Sequence, residues 1–87
     1  LLDTRARVRI TLKQFKEAEA DLAEAIGHDP TALRWFHVAV LRMSQTTPAP
    51  EEAAKAFAEA RRRGLTDRMI HPADLPTYRV LAAGQEK

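Results

Sequence analysis

Histidine is the residue type of this chain best suited to catalysis or metal binding, and the sequence contains three, His28, His37 and His71. None stands four residues from another, the spacing that would place two imidazoles on one face of a helix. The chain has no cysteine, and no carboxylate stands at a spacing that suggests metal ligation. The sequence therefore predicts no metal, no cofactor and no catalytic residue, which argues against an enzyme.

The run of three arginines at residues 61–63 is the other chemically distinctive stretch. Such a run could contact nucleic-acid phosphates, but no aromatic residue stands beside it and the net charge of the chain is only +2. Cations in the last turn also stabilise the carboxyl end of a helix, and Gly64 follows directly. Helix termination is therefore the favoured interpretation, and nucleic-acid binding is the weaker one.

Composition predicts one all-helical domain. The chain has 87 residues, of which 45% are hydrophobic and 30% charged, with only three glycines. Its longest apolar run, residues 35–41, is too short to span a bilayer and contains His37. No cysteine and no secretory signal are visible, which favours the cytoplasm, but the chain begins on Leu1-Leu2 and is expected to be a fragment of a longer protein.

Helical periodicity and cap residues predict five helices, over about residues 1–12, 15–26, 30–43, 50–63 and 75–83. Lys13-Gln14 is expected to form a tight corner. Gly27, Gly64 and Gly84 are expected to end helices, while Asp29 with Pro30 and Asp74 are expected to begin them. Residues 1–14 carry a net charge of +3 and residues 15–30 one of −4, so the first two helices are expected to attract each other.

The two halves of the chain share a pattern. Ala18, Leu22 and Ala25 recur 35 residues later as Ala53, Phe57 and Ala60. Leu2, Ala6 and Arg9 recur 33 residues later as Trp35, Ala39 and Arg42. Each offset is the same for all three residues of its set, and the difference of two residues between the offsets falls in the loop 44–50. These offsets indicate a repeated helix hairpin.

This pattern resembles the tetratricopeptide repeat, a helix–turn–helix unit with a period of about 34 residues. The first unit carries the resemblance through Leu2, Arg5, Ala6, Phe15, Ala18, Leu22, Ala25 and Pro30, and the second through Trp35, Val38, Ala39, Ala53, Phe57 and Ala60. The chain departs from the family at Arg5, Arg9 and Arg42, where apolar or aromatic residues are usual. The resemblance implies a right-handed α-solenoid of antiparallel hairpins, with repeats at about 1–30 and 31–65 and a capping segment at 66–87.

The resemblance also implies a scaffold that binds a protein or peptide on the concave face of its first helices. The residues expected on that face are Asp3, Thr4, Arg7, Thr11, Phe36, His37, Val40 and Met43. Arg7 would offer a cation to an acidic side chain, and the apolar residues would accept an anchor. The alternatives are the structural end of a longer array and a module that self-associates through its first helix.

Overall fold

The computed structural model describes residues 2–85, and all regular structure in that range is helical, as predicted. The five α-helices are α1 (Leu2–Thr11), α2 (Phe15–His28), α3 (Ala32–Ser44), α4 (Pro50–Arg62) and α5 (Leu75–Gln85). Two short 3-10 helices, Asp67–Met69 and Pro72–Asp74, lie between α4 and α5. None of the helices in the described part of the chain is long and apolar enough to cross a membrane.

The helices form two antiparallel hairpins, α1–α2 and α3–α4. Arg42 near the end of α3 reaches Glu19 near the start of α2, and Arg63 after α4 reaches the carbonyl of Pro30 before α3. Helix α3 therefore runs opposite to both α2 and α4, and the contact of Arg5 with Asp21 shows that α2 runs back along α1. The alanines of the repeated pattern are buried, and Leu22, Leu41, Phe36 and Phe57 are the largest fully buried side chains.

Helix α5 covers the second hairpin. The ring of Tyr78 lies 6.2 Å from that of Phe36 and 5.5 Å from that of Phe57, in tilted and edge-on contacts. Leu81, one turn further along α5, is also buried. Aromatic contacts of this geometry add to the free energy gained from apolar burial. The terminal helix thus completes the core of α3 and α4.

The corner between α1 and α2 is a Schellman motif. The N–H of Gln14 donates to the carbonyl of Arg9 at 2.7 Å, and the N–H of Lys13 donates to that of Ile10 at 3.0 Å. This pattern requires a left-handed residue, and Lys13 occupies that conformation with φ 62°. The predicted corner is confirmed, although an L-residue other than glycine is strained there.

The end of α4 uses the same motif with glycine. Gly64 has φ 96° and donates its N–H to the carbonyl of Arg61, while Leu65 donates to the carbonyl of Ala60 at 3.1 Å. Leu65 is buried beneath the turn. The predicted stop at Gly64 is confirmed.

The predicted end of α2 at Gly27 is wrong, because that helix continues to His28 and leaves through Asp29 in an extended conformation. Arg34 replaces the glycine cap, since its guanidinium donates to the carbonyls of Ala25 and Asp29 at 2.7 Å each. Helix α3 then begins after Thr31, whose hydroxyl accepts the N–H of Arg34 at 3.3 Å. The predicted start at Asp29 with Pro30 is therefore also wrong.

The predicted end of α5 at Gly84 is wrong as well, because that helix includes Gly84 and reaches Gln85. Asp74 directly precedes α5, but the hydrogen bonds of its carboxylate go to Arg7 of α1. A long-range ion pair thus takes the place of the predicted helix cap.

The left-handed corners predict opposite responses to substitution. Lys13→Gly should raise the free energy of unfolding by about 0.5–1 kcal/mol, because it removes backbone strain. Gly64→Ala should lower it by about 1 kcal/mol, and Gly27→Ala, inside a helix with open space around it, should raise it by about 0.5–1 kcal/mol. Urea denaturation of the three variants measures these changes, and a destabilised Lys13→Gly would contradict the strain at that corner.

Candidate functional site

A groove of about 450 Å³ lies between α1, α3 and the segment 66–74 that connects α4 to α5. Helix α1 contributes Thr4, Arg7 and Thr11, and α3 contributes Leu33 and His37, in each case about one turn apart. The connecting segment contributes Met69, His71, Ala73 and Asp74. We call this feature the α1–α3 groove.

Four residues predicted to form the concave face line the α1–α3 groove: Thr4, Arg7, Thr11 and His37. Met43 is half-buried against the core and is absent from the groove lining. The side chain of Asp3 lies outside the described residues.

The predicted concave face is wrong at Phe36 and Val40, because both side chains are buried. Phe36 has no accessible surface and Val40 only 3%. The ring of Phe36 packs against those of Phe57 and Tyr78 inside the core. Neither side chain can anchor a partner in this structure. Both serve the core that α3 shares with its neighbours.

Sequence reasoning missed the contribution of the segment 66–74. Ile70 is buried in the core and anchors the segment. Its neighbour Met69 is 48% exposed and lines the groove. The segment has no helical or strand periodicity, and its only signals were a proline, a histidine and the predicted cap residue Asp74. None of these signals indicates that it returns to α1.

The contact that brings the segment back to α1 is a bidentate ion pair between Arg7 and Asp74. Arg7 Nε donates to Asp74 Oδ2 at 3.1 Å, and its Nη2 donates to Oδ1. Arg7 Nη1 also donates to Thr11 Oγ1 at 3.1 Å, while the Asp74 carboxylate is buried. A paired guanidinium and carboxylate cancel most of each other's field. The sequence suggested that Arg7 offers a cation to an acidic partner. In the structure this cation is already paired with Asp74.

His71 shapes the rim of the groove. Its Nδ1 accepts the backbone N–H of Ala73 at 3.1 Å, and this bond fixes the turn at Pro72. When the imidazole is neutral, that bond assigns its proton to Nε2. Because His71 is exposed, the Nε2–H group is available as a hydrogen-bond donor at the mouth of the groove.

A second cluster holds α1 on α2. Asp21 is buried, and its Oδ2 and Oδ1 accept hydrogen bonds from Arg5 Nε at 3.0 Å and Nη2 at 2.8 Å. Arg9 Nη1 lies 3.2 Å from the same Oδ2. The attraction expected between the first two helices is thus confirmed at a single carboxylate. It also explains why arginines stand where apolar residues were expected.

The same cluster shifts two pKa values. The hydrogen bonds from Arg5, with the charges of Arg5 and Arg9, hold the pKa of Asp21 below its usual value despite the desolvation of the carboxylate. The hydrogen bond to Asp21 raises the pKa of Arg5. The ion pair is therefore maintained at all pH values near neutrality.

Among residues 2–85, no group of three or more histidine, aspartate or glutamate side chains is placed to hold a metal ion. No protein-family model matches the chain, and no curated protein or solved structure was found to match it.

The lowered pKa of Asp21 predicts that its contribution to the stability of the domain depends on pH. Its stabilising contribution is complete above the unfolded-state pKa of about 3.9 and is lost as the pH falls through the lower native pKa. Asp21→Asn should therefore reduce the free energy of unfolding at pH 7, and this reduction should become smaller as the pH falls below the unfolded-state pKa of about 3.9. Denaturant titrations at pH 7 and at lower pH measure the free energy of unfolding of the variant and of the parent. The control is Asp29→Asn, because Asp29 is exposed. A difference independent of pH would contradict it.

Loss of the Arg7–Asp74 pair should destabilise the whole domain. Arg7→Met removes the partner of a buried carboxylate and should cost about 1–3 kcal/mol. Arg68→Met, at an exposed arginine of the same connecting segment, should change stability by less than about 0.5 kcal/mol. Thermal and urea unfolding compare the two variants. Equal effects would show that the pair contributes little.

Proposed function

We propose that the chain is a protein-interaction module of the tetratricopeptide type, which binds a segment of a partner protein in the α1–α3 groove. The proposal rests on the repeated hairpin pattern and on one observation, an open groove between the first helices of the two hairpins. Grooves of this size accept one or two large side chains of a ligand. Main-chain groups of the bound segment would then meet the hydroxyl and imidazole groups at the rim.

The chemistry of the groove favours an apolar anchor. Its exposed surface is mainly apolar, with Leu33 and Met69 on opposite sides, and its two charged groups, Arg7 and Asp74, neutralise each other. Methionine adapts its shape to different apolar side chains, which suits a recognition surface. The bound segment therefore carries a leucine-, methionine- or phenylalanine-sized residue, and its affinity depends only weakly on salt.

The arginine run 61–63 does not favour nucleic acid as the ligand. Arg62 and Arg63 pair with Glu59 at 2.7 and 3.2 Å. Arg61 lies 5.8 Å from the centre of the Phe57 ring, within the range of a cation–π contact. All three arginines therefore contact side chains of α4. Within the proposal, the module binds its partner without a chemical step.

Matched substitutions test the groove. Peptides selected by display on the intact chain provide the ligand. Met69→Asp should weaken their binding at least about tenfold, because it places a carboxylate against the apolar anchor. Val80→Asp is the control, since Val80 on α5 is 60% exposed and outside the groove, and it should leave affinity unchanged. Circular dichroism establishes that both variants remain folded.

The two methionines of the chain allow the site to be located directly. With ¹³C-methyl-methionine, bound peptide should shift the Met69 signal and leave that of Met43 nearly unchanged, because Met43 lies against the core. A selected peptide that shifts neither signal, or that binds Met69→Asp normally, would show that the ligand site lies elsewhere on the molecule.

A further inference from the structure

A second cavity, with a volume of about 290 Å³, lies between the first 3-10 helix and α5. The 3-10 helix contributes Asp67 and Arg68 to its lining, and α5 contributes Leu75, Tyr78 and Arg79. None of these residues lines the α1–α3 groove. We call this feature the Arg68–Arg79 cavity, and it is separate from the site of the proposed protein ligand.

The two arginines of this cavity differ from the other arginines of residues 2–85. Each of the others contacts a carboxylate, a backbone carbonyl or, for Arg61, an aromatic ring. For Arg68 and Arg79 the described part of the chain supplies no such contact. Both are exposed and both line the same cavity. The guanidinium groups that the described chain leaves without a partner therefore meet at one place.

The apolar part of the lining is held in place by the core. The ring of Tyr78 lies 5.5 Å from that of Phe57 in an edge-on contact, and Leu75 packs against the same core. Both Tyr78 and Leu75 are only half-buried, so each leaves part of its surface open to the cavity. The cavity thus joins a fixed apolar wall to two cations.

Two guanidinium groups at one cavity favour a phosphate over a carboxylate as the ligand. A carboxylate has two oxygens, and a single guanidinium satisfies both in a bidentate pair. A phosphate monoester has three terminal oxygens and carries up to two negative charges, so it can accept hydrogen bonds from both arginines. With Asp67, the lining carries a net charge of +1 and still attracts an anion.

We propose that the Arg68–Arg79 cavity binds a phosphate monoester carried on an aromatic ring. The phosphate lies between the two guanidinium groups, and the ring lies against Leu75 and Tyr78, where an offset or edge-on aromatic contact is favourable. A phosphorylated tyrosine of a partner protein and a free aryl phosphate share this chemistry. A nucleic-acid backbone fits less well, because it needs a longer row of cations than this cavity offers.

Matched small anions test the chemistry of the cavity on the intact chain. Phenyl phosphate, titrated into ¹⁵N-labelled protein, should give saturable shifts of the backbone N–H signals of Arg68, Leu75 and Arg79. Benzoate keeps the ring but replaces the phosphate, and inorganic phosphate lacks the ring. Each should bind at least about tenfold more weakly than phenyl phosphate, because each loses one of the two contacts.

Substitutions locate the binding. Arg68→Met and Arg79→Met should each weaken the binding of phenyl phosphate at least about tenfold, since each removes charged hydrogen bonds to the phosphate. Asp67→Asn should strengthen it severalfold, because it removes a like charge from the lining. Arg62→Met is the control, since Arg62 has a 76% exposed side chain on α4 outside the cavity. It removes the same charge and should change affinity by less than about twofold. Circular dichroism establishes that the variants remain folded.

A capped phosphotyrosine, N-acetyl-phosphotyrosine amide, distinguishes the two sources of the ligand. Binding at least as tight as that of phenyl phosphate would support a phosphorylated protein segment, and binding of phenyl phosphate alone would support a free aryl phosphate. Phenyl phosphate that gives no saturable shift would overturn the proposal. So would equal losses of affinity in Arg62→Met and Arg68→Met, or equal affinities for phenyl phosphate and benzoate.

Discussion

Close approach of the helices is the constraint on which the rest of this structure depends. Alanine permits it, since the methyl groups of Ala6, Ala18, Ala39 and Ala53 have no accessible surface and fill the seams of the two hairpins. With the backbones this close, an arginine on one helix reaches a carboxylate on the next, as Arg5 reaches Asp21. The ion pairs between helices follow from apolar packing, and each one then fixes the register of the helices it joins.

Local signals were sufficient to predict most of the fold. The corner at Lys13 and the stop at Gly64 were read correctly because both depend on residues within one turn of the helix end. The end of α2 was predicted wrongly, because its cap is the side chain of Arg34, which comes from the next helix. A guanidinium that donates to carbonyls five and nine residues before it leaves no local pattern, and Gly27 was therefore given a capping role that it does not have.

The candidate site was harder to predict because α3 is covered on most sides. It contacts α1, α2 and α4, and its Phe36 meets Tyr78 of α5. Helical periodicity shows that such a helix is apolar, but it does not distinguish the stripe that faces the core from a stripe that faces a ligand. Phe36 and Val40 were therefore predicted to face a ligand, although both are buried in the core. The segment 66–74 could not be placed at all, since only tertiary contacts bring it to the groove.

The Arg7–Asp74 pair joins residues 67 positions apart, and this separation has a consequence for folding. In an open repeat array each unit contacts only its neighbours, so units can form or fray one at a time. A contact between the first helix and the segment before the last one closes most of the chain into a single loop, whose entropy must be lost before the pair can form. Such topology slows folding and couples the two hairpins. The chain should therefore unfold in one cooperative transition, with neither hairpin surviving the loss of the other.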